Sequence, residues 1–112
     1  MRRCGHVQLA DLGEPQGREA GFGRPVVLVT AQLVLDQHPS VVHVVPLTST
    51  IRGYHSEVTI EPESDNGLDV LSAAQCQHIR AIAGGRLAEP IGHVGAQALT
   101  QIRETLADLL DL

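Results

Sequence analysis

Apolar residues fall into short, dense runs along the first three quarters of the chain and into one helical stripe at its end. Val7 to Asp11 reads as a first strand with Val7 and Leu9 on one face, because the two faces of a strand alternate with a period of two. Leu12 to Gly23 holds Gly13, Pro15, Gly17, Gly21 and Gly23, the punctuation of a long, mobile loop. Pro25 to Thr30 and Val41 to Leu47 are β-branched and apolar enough for strands buried on both faces. Between them, Gln32 to Asp36 predicts a short turn of helix before His38-Pro39. Ser56 to Glu61 alternates, placing Val58 and Ile60 inward and Glu57 and Thr59 outward. Pro62 to Asp69 is a polar loop, Ser72 to Ile82 predicts a further strand, and Glu89 to His93 a short last one. From Ala96 to Leu110 the period lengthens: Leu99, Ile102, Leu106, Leu109 and Leu110 form one stripe opposite Gln97, Gln101, Glu104 and Asp108.

Many short strands closed by one terminal helix predict a mainly β (α+β) fold, a small, partly open β-barrel with a C-terminal α-helix. With 112 residues and no internal repeat, linker or low-complexity stretch, a single domain over residues 1–112 is expected. The chain offers no run near the roughly 20 apolar residues that span a bilayer. Its basic start, Arg2-Arg3, has no apolar segment behind it, so no signal peptide is expected. Cys4 and Cys76 are too few and too far apart for a disulfide framework or a zinc site, which suits a reducing, cytoplasmic location.

Charge narrows the choice of partner. The formal net charge is −5, and there is no lysine. Residues 1–60 balance five arginines (2, 3, 18, 24, 52) against five acids, whereas residues 61–112 set three (80, 86, 103) against eight. A general basic face for nucleic acid is therefore excluded, and any nucleic-acid contact must be local. It would draw on Arg18, Arg24 and Arg52, with Arg80 and Arg86 from the second half.

Phe22 and Tyr54 are the only two of Phe, Trp and Tyr, and both fall in loops where the core pattern does not need them. Each suits either stacking on a base or plugging the end of a barrel. Nearby, Gly17-Arg18-Glu19 and Gly23-Arg24-Pro25 flank the second strand, while Thr48-Ser49-Thr50 and Arg52-Gly53-Tyr54 follow the third. Arginine forks and hydroxyls together suit a phosphate, although Thr and Ser after a strand are also common turn residues.

The order Gly5-x-Val7, Asp11-Leu12-Gly13-Glu14-Pro15-x-Gly17-x-Glu19 and Arg24-Pro25-Val26-Val27-Leu28-Val29-Thr30 resembles the opening of the MazF/PemK toxins. Val44-Val45-Pro46-Leu47-Thr48-Ser49, Gly53-Tyr54, Glu57-Val58, the run Gln75 to Ile82, Arg86-Leu87, Ile91-Gly92 and the leucine-rich terminal helix continue the likeness over nearly the whole chain. The resemblance implies an SH3-like, CcdB-like barrel acting as a homodimer. It implies metal-independent, sequence-specific cleavage of single-stranded messenger RNA to 2′,3′-cyclic phosphate and 5′-hydroxyl ends, with no cofactor. It also implies a cognate antitoxin with an acidic, disordered C-terminal tail. Carried over position by position, the catalytic residues are Arg24, Thr48 and Glu19. Candidate RNA contacts are Arg18, Phe22, Ser49, Arg52, Tyr54, Arg80 and Arg86.

The chemistry requires a base for the ribose 2′-hydroxyl, an acid for the leaving 5′-oxygen and a group that neutralises the phosphate oxygens. Arg24 suits the last task, with Thr48 donating to the same oxygens. A base role for an arginine is hard to reconcile with a pKa above about 12. Glu19 is a candidate base or an orienting group for Arg24, and His6 and His55 titrate in a useful range or are ordinary surface histidines. The chain departs from the family pattern at His6, where an acid is usual, at Gln8, where a Trp is usual, and at His55-Ser56 in place of Pro-Phe. Two other readings keep the fold: a non-catalytic, CcdB-like toxin that binds a protein, and a plain protein-interaction barrel.

Overall fold

The computed structural model describes residues 2–17 and 21–112. Seven strands make one antiparallel sheet: β1 (His6–Asp11), β2 (Gly23–Leu28), β3 (Val41–Thr48), β4 (Glu57–Ile60), β5 (Ser72–Gln75), β6 (Arg80–Ala83) and β7 (Leu87–His93). Two helices accompany them, α1 (Gln32–Leu35) and α2 (Gly95–Leu110). The strand order is β4-β5-β3-β2-β1-β7, with β6 also on β3, so the sheet curls without closing. This is the open, mainly β fold with a terminal helix that the hydrophobic pattern predicts.

Val26 to Leu28 of β2 and Val44 to Leu47 of β3 are buried on both faces, as their apolar runs require, whereas Val41 and His43 at the start of β3 are exposed. Val26, Leu28, Val42 and Val44 join one core cluster with Leu12, Leu35, Ile82 and Leu99. Val27, Val45 and Leu47 join a second with Val7, Val58, Ile60, Ala74, Cys76 and Ile102. Helix α2 reaches both clusters through Leu99 and Ile102, whereas Leu109 and Leu110, further along the same stripe, are exposed. Both clusters are aliphatic, because Phe22 is 64% and Tyr54 52% exposed.

The segment Ser72 to Ile82, expected to contain a strand, holds two, separated by a 3-10 turn at Cys76–His78. The C-terminal half of β3 pairs with β5, Leu47 opposite Ala74, and its N-terminal half pairs with β6, Val44 opposite Arg80. Pro46 lies opposite the gap between them. A proline has no N–H for the ladder, so the partner strand leaves the sheet where it falls. A second 3-10 turn, Gly84–Arg86, leads directly into β7.

β1 pairs residue for residue with β2 from Val7–Val27 to Asp11–Gly23, so Val7 and Leu9 share a face as expected, but that face turns from core to cleft along the strand. Val7 is fully buried and Leu9 is half exposed. The β1–β7 register shifts on either side of Gln8, with the extra residues in β7: Val7 faces Gly92, Gln8 faces Pro90 and Ala10 faces Leu87. The Gln8 side chain, 3% exposed, donates from Nε2 to the Ala88 carbonyl at 2.8 Å and so ties the bulged strand β7 to β1.

The polar segment 61–69 is held by one side chain. Asn66 Oδ1 accepts the N–H groups of Glu63 and Leu68 at 3.1 and 3.0 Å, and its Nδ2 donates to the Glu61 carbonyl at 2.8 Å. The loop then packs on β7 so closely that a Cβ on Gly92 would lie 2.3 Å from the Asn66 carbonyl carbon. Among the described residues no helix is long and apolar enough to cross a membrane.

Candidate active-site cleft

Arg24 enters at the start of β2 and Thr48 at the end of β3. The β2–β3 ladder sets Val26 opposite Pro46. Continued two residues outward, the same register brings Arg24 across from Thr48. Both line a cleft of about 670 Å³ together with Ser49, Thr50 and Ser72. Its other wall is apolar, formed by Leu9, Phe22, Leu68, Val70 and Ile91. The loop organised by Asn66 supplies Gly67 and Leu68 to this wall, and the acidic Asp69 to the same cleft.

The Arg24 guanidinium is fixed from β5, the strand on the far side of β3. Its Nη1 donates to Gln75 Oε1 at 3.2 Å, and its Nε is buried with no partner. Thr48 Oγ1 accepts the N–H of Thr50 at 3.1 Å, which leaves the hydroxyl hydrogen to be donated elsewhere. A permanent cation and a free hydroxyl donor thus face one space, a combination suited to phosphate oxygens.

Phe22 stands at the rim with φ of 58°, a left-handed conformation that costs a bulky residue energy. Two bonds close the root of its loop: Leu12 N–H donates to the Phe22 carbonyl at 2.9 Å, and Phe22 N–H to the Gly13 carbonyl. Arg80 and Arg86 act at the same root. Arg80 Nη1 donates to the Leu12 carbonyl at 3.1 Å, and Arg86 Nη1 reaches the Asp11 carbonyl at 3.5 Å. Both guanidiniums therefore hold the chain where it leaves β1.

Arg52 and Tyr54 do not line the cleft. They belong to a loop wrapped around Glu57, whose Oε1 accepts the N–H groups of Arg52, Gly53 and Tyr54 at 3.0, 2.8 and 3.3 Å. Glu57 sits opposite Gln75 in the β4–β5 ladder, so this loop and the Arg24 anchor share one register. Sequence reading places Glu57 merely outward and passes over Gln75. The signal available was their unusual polarity among apolar strand residues. Arg18 and Glu19 lie outside the described residues.

Neither histidine considered for proton transfer lines the cleft. His6 lies at the start of β1, where its Nδ1 accepts the Arg3 N–H at 3.1 Å and its ring meets His93 edge-on. Burial first, then the nearby His93, Arg3 and the terminal amine, hold its pKa below the usual histidine value. Burial likewise pushes the Cys76 thiol up to about 11, which marks it as a core residue and not a nucleophile. Among the described residues, no three His, Cys, Asp or Glu side chains form a metal-binding set.

Comparison with known proteins agrees with this geometry. Residues 3–110 match the model of the PemK-like, MazF-like toxins of type II toxin–antitoxin systems. The chain is 36% identical to endoribonuclease MazF9 of Mycobacterium tuberculosis over 116 aligned positions, covering 100% of this chain and 98% of that protein. It superposes on the M. tuberculosis toxin MazF-mt6 with a TM-score of 0.78 and 28% identity, over 96% of this chain and 97% of the other. A mycobacterial endoribonuclease solved in complex with its cognate antitoxin shares the fold, with a TM-score of 0.80 at 22% identity, covering 100% of this chain and 97% of that one. The chain belongs to the PemK-like, MazF-like family of type II toxins.

Proposed function

We propose that the protein is a sequence-specific endoribonuclease toxin that cuts single-stranded messenger RNA in the cytoplasm. The observation that carries this reading is the Arg24–Thr48 pair facing one cleft from neighbouring strand ends. In the proposed reaction the ribose 2′-oxygen attacks the adjacent phosphorus, and the P–O5′ bond breaks. A 2′,3′-cyclic phosphate and a 5′-hydroxyl result. Arg24 neutralises charge gathering on the non-bridging oxygens, and Thr48 donates a hydrogen bond to them. The 2′-hydroxyl proton passes to a base, and Glu19 is the residue proposed for it; a protonated group completes the leaving 5′-hydroxyl. Phe22 and Ser49 at the cleft, with Arg18, Arg52 and Tyr54 beside it in sequence, are proposed to hold the flanking nucleotides. Arg80 and Arg86 would serve RNA through the loop they anchor.

The test is incubation of the purified protein with a defined RNA in EDTA. Cleavage is expected to persist, and Arg24→Ala and Thr48→Ala are each expected to lower the rate at least about tenfold, or about 1.4 kcal/mol, with melting temperature nearly unchanged. Activity abolished by EDTA and restored by magnesium, or either variant cutting at the wild-type rate, overturns the assignment. Intact RNA with firm binding to a protein target would instead indicate a non-catalytic toxin.

The protein is further proposed to act as a homodimer silenced by an antitoxin whose acidic tail occupies the same cleft. The apolar wall and the Arg24 cation offer anchors for an extended peptide of that kind. Light scattering at micromolar concentration is expected to read twice the 12.0 kDa chain mass, and an antitoxin peptide to displace a non-cleavable RNA. A monomer, or a ternary complex with unchanged RNA affinity, contradicts the respective part.

A further inference from the structure

We propose that Gln75 is the positioning residue of the reaction, holding the Arg24 guanidinium in place while leaving its whole charge for the RNA phosphate. The inference rests on the catalytic assignment of Arg24 above and extends it to a residue outside the cleft lining. Gln75 is the last residue of β5 and 6% exposed. Its backbone is fixed on one side by the ladder to Glu57. On the other it is followed by the 3-10 turn that begins with buried Cys76, whose N–H donates to the Ser56 carbonyl at 2.9 Å. From this rigid corner Oε1 accepts Arg24 Nη1 at 3.2 Å.

Two features make the contact more than packing. First, among the described residues it is the hydrogen bond that fixes the Arg24 side chain, whose Nε is buried without a partner. An arginine has many rotamers, and a guanidinium displaced by about 1 Å can cost on the order of a hundredfold in rate. Second, the partner is a neutral amide. A carboxylate at this place would form an ion pair and take up much of the positive charge that the pentacoordinate phosphate needs. A glutamine gives direction without neutralisation.

The experiment compares two substitutions by single-turnover cleavage and by RNA titration. Gln75→Met keeps side-chain length and loses the acceptor; Gln75→Glu keeps the acceptor and adds a charge. Both are expected to lower kcat at least about tenfold near neutral pH with KM changed less than about threefold. The Gln75→Glu deficit relative to wild type is expected to shrink as pH falls toward the carboxylate range, because the protonated acid resembles the amide. Gln75→Met would not recover in this way. In an Arg24→Ala background, Gln75→Met should cost little further, since it acts through the guanidinium.

Outcomes separate the two levels of the argument. If Arg24→Ala cuts at the wild-type rate, the catalytic reading fails. If Arg24→Ala is impaired but either Gln75 variant keeps wild-type kcat, the positioning role fails while the catalytic reading stands. Losses that add fully in the double variant, or that follow a fall in melting temperature with no pH dependence in Gln75→Glu, show a structural role only and also overturn it.

Discussion

At the scale of single residues, the cleft is made by side chains held in costly or unusual states. Phe22 is the plainest case. A left-handed backbone at a bulky, non-glycine residue costs about 1–2 kcal/mol, yet the aromatic ring gains little from burial in return. An exposed ring on a strained backbone at the rim of the Arg24–Thr48 cleft is a stacking platform by this reasoning. Phe22→Gly therefore separates stability from binding. Relief of the strain offsets the extra chain entropy of glycine, about 0.5–1 kcal/mol, so the melting temperature should hold or rise slightly. Affinity for a non-cleavable RNA should fall between about 5-fold and 150-fold, the worth of about 1–3 kcal/mol per stacked base. Unchanged affinity with a large loss of stability would place Phe22 in the architecture instead.

At the scale of elements, Asn66 and Pro46 govern what surrounds the cleft. Three hydrogen bonds from the Asn66 amide hold the segment that supplies Gly67 and Leu68 to its apolar wall and Asp69 to the same cleft. Asn66→Ala removes them all and leaves part-buried backbone groups without their partner, so unfolding by urea is expected to show a loss of about 1–3 kcal/mol. A loss under about 0.5 kcal/mol would mean that the loop is held by its packing on Gly92 and by backbone bonds such as His93 N–H to the Asp65 carbonyl. The strands that carry Arg24 and Thr48 were legible because Val26 to Leu28 and Val44 to Leu47 are buried on both faces, and Val-rich runs say so directly, although Val41 and His43 at the start of β3 are exposed. The helix α2 was legible from its 3.6-residue stripe, although the stripe did not tell that Leu109 and Leu110 would overhang the sheet. The division of β5 from β6 was hidden. Its cause, Pro46, lies in another strand about 30 residues earlier, and periodicity along one segment cannot register a missing donor across a ladder. The same limit hid the site's supports. Arg24 and Thr48 stood out as residue types beside strand ends, but Gln75 and Glu57 act through distances that only the β3–β5 and β4–β5 registers create.

At the scale of the whole molecule, an RNA-cleaving protein with a net charge of −5 must bind its substrate with few ionic contacts. The second half of the chain is strongly acidic, and its Arg80 and Arg86 are bonded to backbone carbonyls at the root of the Phe22 loop. Arg103 donates to the Cys4 sulfur at 3.4 Å, and Arg2 to the Pro39 carbonyl at 3.2 Å. Arg3 precedes β1 at the end away from the cleft, beside His6, which leaves Arg24 at the cleft, with Arg18 and Arg52 from segments near it in sequence, as the phosphate partners proposed for each bound strand. Two or three neutralised phosphates imply a log–log dependence of affinity on salt with a slope of about −1.4 to −2, using about −0.7 per contact on a single strand. Stacking on Phe22 and Tyr54 and hydrogen bonds from Thr48 and Ser49 would supply the remainder, and these are insensitive to salt. The measurement is equilibrium binding of a non-cleavable RNA to the protein between low and physiological salt. A slope near −2 that becomes shallower by about 0.7 in Arg52→Gln fits a local site assembled from a few arginines. A slope steeper than about −4 requires a basic surface that the described residues do not offer, and it would remove this account of how an acidic protein holds RNA.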